Sequence, residues 1–258
     1  MIYICIPSYN EAPTVGLLLW KIRQVFSDFP REYQLLVAND GSSDATAEVL
    51  EPYTKVLPLT VVTHKERLGY AASVEELLRL AVDLTDRPKR DCAILMHADF
   101  AHGAEFIPEL VKQIESGADL VVAEAKVEGE PSRMVRWVRR AAPLLLRNAK
   151  IPGVSDVVSG FAAFRLIILK NAIRGQRGPL LTTEGWAANA ELFTRAAQSA
   201  RRIETIPVIE RRDVRPRPSR LAPWDTAKEL WRAGKRLKAV ARMSRIAPRA
   251  ERQPTEMI

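Results

Sequence analysis

The chain has 258 residues, 47% hydrophobic and 27% charged, with a net charge of +8, a balance that supports a sizeable folded core and excludes disordered and fibrous classes. The charge is uneven: residues 211–252 hold fourteen Lys/Arg against four Asp/Glu, a local +10 that leaves −2 for the remainder, which points this segment at an anionic partner. Two cysteines exclude a disulfide framework, and no apolar run reaches the roughly 18 residues of a membrane-spanning helix.

The opening MIYICIPSYN lacks the basic and long apolar regions of a signal peptide, so a cytoplasmic location is expected. Its IYICI run, ending at Pro7, reads as a buried strand. Residues 14–26 carry Val15, Leu18, Leu19, Ile22 and Val25 at helical spacing. Residues 34–38 predict a second strand, followed by the polar turn 39–44 and a helix over 45–50 with Asp44 as its N-cap. A third strand (59–63), a helix (69–84), a fourth strand (92–96), a helix (106–115) and a fifth strand (119–125) follow. This alternation predicts an α/β fold with a mostly parallel central sheet flanked by helices. Ligands bind beyond the carboxyl ends of such strands. The segments 8–11, 39–44 and 97–102 each follow a strand, so they are expected to open onto one crevice.

The second half is less regular. Residues 131–150 mix basic and apolar side chains and contain Pro143; 155–169 carry a Ser-Gly pair between apolar runs; 183–197 read as a helix and 201–209 hold a strand. Pro216, Pro218 and Pro223 break the chain before a basic amphipathic helix over 225–246. The expected organisation is one α/β domain over 1–210 and a basic extension over 211–258.

Chemistry-bearing side chains cluster at the strand ends. In PSYNE, Asn10 and Glu11 offer acceptors and Tyr9 a flat ring; Asp40 offers a carboxylate to a base or ribose. The same residue types also build turns and helix entries. Thr182-Thr183-Glu184 precedes the helix holding Glu191, and either carboxylate has the chemistry of a general base, while Glu184 equally suits a first helical turn. Arg211, Arg212, Arg215, Arg217 and Arg220 crowd one loop, and guanidinium forks suit phosphate oxygens. The final helix, with Trp231 among basic residues, suits either an anionic bilayer surface or packing on the core. Nucleic acid is the weaker partner, since no recognition motif accompanies the charge.

A strand ending in PSYNE and a later one ending in NDGSSDAT resemble family 2 glycosyltransferases, enzymes of the GT-A fold. The resemblance continues through HKERLGYAA (64–72), HADFAH (97–102) and SDVVSGFAAFRL (155–166), the last similar to the acceptor side of dolichyl- and polyprenyl-phosphate sugar transferases. It implies that Pro7, Tyr9, Asn10 and Glu11 line a nucleoside pocket, that Asp40 binds base or ribose, and that Arg67, Gly69, His97 and Ala98 lie near the donor. It implies Asp99, with His97, at a divalent cation, Mn²⁺ or Mg²⁺. His97 stands where the family usually has Asp, and imidazole favours Mn²⁺ or a transition metal over Mg²⁺. It implies acidic residues near the acceptor, here Glu184 and Glu191, and acceptor-phosphate contacts from Arg165, Arg211, Arg212, Arg217 and Arg220. The expected activity is transfer of a hexose from a GDP- or UDP-sugar to polyprenyl phosphate, with inversion, at the inner face of the cytoplasmic membrane. Two alternatives stay open: a soluble or glycan hydroxyl acceptor, and a non-catalytic nucleotide-sugar-binding protein.

Overall fold

The computed structural model describes residues 1–128, 133–146, 151–211 and 222–246. In chain order the elements are β1 (Ile2–Ser8), α1 (Val15–Asp28), β2 (Tyr33–Asn39), α2 (Thr46–Thr54), β3 (Leu59–Thr63), α3 (Tyr70–Leu84), β4 (Cys92–Leu95), α4 (Ile107–Glu115), β5 (Leu120–Glu128), α5 (Arg133–Leu145), β6 (Ala162–Arg165), α6 (Leu166–Arg174), α7 (Trp186–Ala197), β7 (Ile203–Arg211) and α8 (Pro223–Ile246). A short 3-10 turn, Ala104–Phe106, leads into α4.

The strands form one sheet in the order β3-β2-β1-β4-β6-β5-β7. Alternation along β1 explains how both faces are covered. Ile2, Ile4 and Ile6 pack with Val15, Leu18 and Leu19 of α1 and Ile107, Leu110 and Ile114 of α4. Tyr3 and Cys5 face the other way, onto the layer holding Val74, Leu77 and Leu78 of α3 and Phe193 of α7. A strand buried on both faces reads as an unbroken apolar run. Each fully buried Ile or Leu here contributes about 1.5–3 kcal/mol of transfer free energy.

β1 pairs in parallel with β2 and β4, and β2 with β3. The departure from a parallel sheet is β6, antiparallel to both β4 and β5. This strand and α6 span residues 162–174, where the sequence pattern predicts no element. Four residues are too few to show a strand period, and α6 begins at the next residue. Helix α2 runs past residue 50 to Thr54 despite Pro52, which lies in its last turn.

The basic C-terminal helix packs on the body. Leu230, Ala233 and Leu237 are buried in the same layer as α3 and α7. Gly234 lets α8 approach α5 closely: a Cβ there would lie 2.2 Å from the Leu145 carbonyl oxygen. Trp231 faces outward, with Lys235 Nζ 3.5 Å from its ring centroid.

Candidate active site

The carboxyl ends of β1, β2 and β4 converge because their registers align. Ser8 lies beside Asn39, and Cys5 beside Leu95. Asp40 N–H donates to the Ser8 carbonyl and Met96 N–H to the Cys5 carbonyl. A cleft opens here, walled by Pro7, Ser8, Tyr9 and Glu11 after β1, Asp40 after β2, Arg67 and Tyr70 before and at the start of α3, and His97, Ala98 and Asp99 after β4. The three strand-end segments therefore share one crevice.

Each wall is fixed locally. Arg67 lies over the Tyr9 ring, its guanidinium carbon 4.2 Å from the centroid. Asp40 is buried and accepts from Leu68 N–H (2.7 Å), Gly69 N–H (3.0 Å) and His64 Nδ1 (2.8 Å). Gly69, at φ +104°, gives the chain the left-handed geometry that this loop needs. His97 stacks on Tyr70, centroids 5.3 Å apart, and Tyr70 Oη donates to Asn189 Oδ1 at 2.7 Å. Gly160 closes this group: a Cβ there would sit 2.5 Å from Asn189 Nδ2 and 2.6 Å from His97 Nε2. Burial raises the Tyr70 phenol above its ordinary value. Asp99 Oδ1 accepts from Ala101 N–H at 3.1 Å, across a turn in which Phe100 takes φ +60°.

The far wall comes from the second half of the chain: Arg139 of α5, Val158 and Ser159, Gly185 and Trp186, and Glu210 of β7. Arg139 is ion-paired to Glu210 through Nη1 and to Asp156 through Nη2. Burial works against the Arg139 charge, but the two carboxylates outweigh it and raise its pKa. Asp156 also accepts from Val158 and Ser159 N–H, each at 3.1 Å, which shapes the turn entering β6. His102 lies beneath the cleft, 2% exposed, and burial pushes its pKa down to about 4. Neither of its ring nitrogens, nor Ser8 Oγ, has a hydrogen-bond partner among the described residues.

Several expected residues lie elsewhere. Asn10, at φ +52°, ties two loops together rather than lining the cleft: its N–H donates to Ser42 Oγ and its Oδ1 accepts from Ser43 N–H. Gly69 shapes the loop behind the wall. Arg165 is at the opposite end of the sheet. Antiparallel β6 pairs it with Cys92, the first residue of β4, and Asp119 and the carbonyls of Lys89, Ile114 and Ala118 hold its guanidinium. It is a structural cation, not a phosphate contact in the cleft. Glu191 is buried against Arg195, Thr182 and Thr183. Glu184 accepts from Ala71 N–H at the start of α3 and faces a separate, shallower depression; burial raises its pKa. Neither carboxylate lines the cleft. Arg212, Arg217 and Arg220 lie outside the described residues, as does the side chain of Arg211.

Reading the sequence missed Tyr70, His102, Arg139, Ser159, Trp186 and Glu210 as cleft residues. Tyr70 carried a usable signal, as the first residue after the glycine that opens α3. Arg139 and Glu210 carried none, because only the tertiary fold brings α5 and β7 together.

Residues 3–172 match the family model described as Glycosyl transferase family 2. The chain is 27% identical over 170 residues to a dolichol-phosphate mannosyltransferase of Pyrococcus furiosus, covering 63% of this chain and 45% of that protein. It is 27% identical over 168 residues to an undecaprenyl-phosphate 4-deoxy-4-formamido-L-arabinose transferase of Pseudomonas fluorescens, covering 64% and 47%. The chain thus spans about half the length of the curated relatives it matches. Among solved structures it is similar to glucosyl-3-phosphoglycerate synthase from Mycobacterium tuberculosis in complex with Mn²⁺, UDP-glucose and phosphoglyceric acid, with a TM-score of 0.62 at 17% identity over 93% of this chain and 80% of that one. It is also similar to S. aureus TarS 1-349 in complex with UDP, with a TM-score of 0.60 at 18% identity over 92% and 64%. These likenesses establish the fold as GT-A.

Proposed function

Because the chain belongs to glycosyl transferase family 2, we propose that it transfers a hexose from a nucleoside-diphosphate sugar to a polyprenyl phosphate. Tyr9, Glu11, Asp40 and Arg67 form the nucleoside wall, with His97, Ala98 and Asp99 beside the diphosphate. The relatives named for dolichol- and undecaprenyl-phosphate chemistry support the acceptor. The observation that carries it is the placement of Arg139 in the cleft while Glu184 and Glu191 lie outside it. A hydroxyl acceptor needs a general base within hydrogen-bond reach. A phosphate oxygen is already anionic and needs instead a cation to receive it; Arg139 takes that role by exchanging its ion pair with Glu210 or Asp156 for the phosphate.

A divalent cation fits this donor set in one way. Among the described residues no three His, Cys, Asp or Glu side chains form a preformed metal cluster. One carboxylate that shares the ion with substrate phosphates is a common arrangement for hard cations, and Asp99, on the cleft wall after β4, is the candidate for that carboxylate. When bound, the cation offsets the charge that develops on the leaving diphosphate. His97, stacked on Tyr70, shapes the same wall and is the candidate second ligand; its imidazole makes Mn²⁺ the better match.

Glu184→Gln retains acceptors for the Ala71 N–H. Its rate on polyprenyl phosphate is expected to stay within about threefold of wild type, since the proposed chemistry makes no use of a base there. A loss of a hundredfold or more, with activity on hydroxyl acceptors in the wild type, would move the reading to the hydroxyl class. Tight binding of UDP- or GDP-sugars with no turnover on either acceptor would leave a non-catalytic binding protein.

The described residues include no helix long and apolar enough to cross a membrane. α5 and α8 instead present Trp137, Trp224 and Trp231 outward beside Arg136, Arg140, Lys228, Arg232 and Lys235. Trp137 and Trp224 lie 6.2 Å apart. This face suits peripheral contact with an anionic bilayer. Vesicles rich in phosphatidylglycerol are expected to sediment the protein, and replacement of Trp137 and Trp224 by Ser to weaken that binding about tenfold. Equal recovery with neutral vesicles would argue against this contact.

A further inference from the structure

His64, one of three histidines in the chain, follows β3 with its side chain only 7% exposed. Its Nδ1 lies 2.8 Å from Asp40 Oδ1 and its Nε2 2.6 Å from Glu76 Oε2. Ionised carboxylates only accept hydrogen bonds, and a neutral imidazole has one N–H. Both contacts are satisfied together when the ring carries two protons. Burial opposes that charge, but the hydrogen bonds with Asp40 and Glu76 outweigh it and raise the His64 pKa.

The surrounding charges are otherwise engaged. Glu75 of α3 pairs with Arg79, and Arg67 on the same loop as His64 lies over Tyr9. Lys65 and Glu66 are exposed, and Glu184, ahead of α7, is held at the Ala71 N–H. Asp40 and Glu76 are thus the two carboxylates that meet the ring. They stand on different walls: Asp40 on the main cleft, Glu76 on the shallower depression across α3.

We propose that His64 is a positioning residue, an imidazolium clamped between Asp40 and Glu76 that adds a charged donor to the Leu68 and Gly69 N–H groups holding the Asp40 carboxylate at the nucleoside wall, and that weakens this hold when the ring loses a proton. This rests on the nucleotide reading of the cleft. Below the raised His64 pKa both hydrogen bonds persist and nucleotide affinity is at its full value. As pH rises through that pKa one carboxylate loses its donor, and affinity falls.

The test uses the full chain. Imidazole NMR titrates the three histidines directly, without ligand. Calorimetry follows UDP and GDP binding between about pH 6 and 9 for wild type, His64→Ala, His64→Asn and Glu76→Gln. Asparagine can place its amide N–H where Nδ1 donates to Asp40, but it does not titrate. The wild type is expected to titrate at His64 above about 6.5 and to lose about tenfold in affinity through the same range. His64→Asn should recover most of what His64→Ala loses and flatten that fall. Glu76→Gln should move it to lower pH, since one of the two carboxylates holding the proton is gone. The uracil and guanine N–H also titrates at alkaline pH, but a fall from that source persists in His64→Asn. A pH dependence unchanged from wild type in His64→Asn and Glu76→Gln, or a His64 titration at or below the ordinary value, overturns the inference while leaving nucleotide binding intact. Failure of UDP and GDP to bind at any pH overturns both readings.

Discussion

Replacing Asp99 by Asn is expected to lower sugar transfer by about a thousandfold, equivalent to about 4 kcal/mol of lost transition-state stabilisation. The reason is charge rather than shape. Asp99 Oδ1 accepts from Ala101 N–H within the turn that follows β4, and an asparagine oxygen can take over that hydrogen bond. The loop and the melting temperature should then be retained while the negative charge proposed to serve the diphosphate through the cation is lost. Asp99→Ala removes both, so it should match Asp99→Asn in turnover and fall below it in stability. Binding of uridine or guanosine, which carry no phosphate, should change by less than about threefold in either variant, because Tyr9, Asp40 and Arg67 stand on the β1 and β2 side of the cleft. Unimpaired turnover in Asp99→Asn would reduce Asp99 to a turn residue.

Arg139→Met is expected to cost about 3–5 kcal/mol of folding stability, read by urea denaturation, together with most activity on a phosphate acceptor. The side chains of Glu210 and Asp156 are only 5% and 11% exposed. Removal of the guanidinium leaves both carboxylates in the interior without their counter-charge. Asp156 also organises the Val158 and Ser159 N–H groups at the entrance to β6, so the damage should spread along the far wall. The double variant Arg139→Met, Glu210→Gln should be more stable than the sum of the two single effects implies, since each partner is costly mainly when the other is left charged and alone. Strict additivity would show that the pair is not coupled. Recovery of stability in the double variant without recovery of transfer would separate the structural role of Arg139 from its proposed role at the acceptor.

The first half of the fold was legible because β1, β4 and most of β2 are buried on both faces, the edge strand β3 is half-buried, and each helix is buried on one face. Unbroken apolar runs such as IYICI and helical spacing such as Val15, Leu18, Leu19 and Ile22 mark them without ambiguity. Their common direction then places Tyr9, Asp40 and Asp99 in one crevice by topology alone. The second half resisted for an equally physical cause. β6 is four residues long and antiparallel, and nothing local announces its direction. That direction decides which end of the segment meets the ligand. Val158 and Ser159 reach the cleft, and Arg165, assigned to the acceptor from sequence, ends at the far edge with Asp119. Asn10 misled in another way. It has the acceptor chemistry of a binding residue but uses it on Ser43, and its positive φ is a feature that a motif does not disclose. Glu191 has the chemistry of a base, and its burial beside Arg195, away from the cleft, is a feature that the sequence does not disclose.

The proposed activity is tested most directly by mass spectrometry of the lipid fraction after the full chain is incubated with UDP- and GDP-hexoses, undecaprenyl phosphate and Mn²⁺. The predicted result is a hexosyl-phospho-polyprenol from at least one donor, with the matching nucleoside diphosphate released in equal amount and neither formed by Asp99→Asn above background. An unchanged lipid and intact donors across all combinations, from protein shown by its melting transition to be folded, would contradict it.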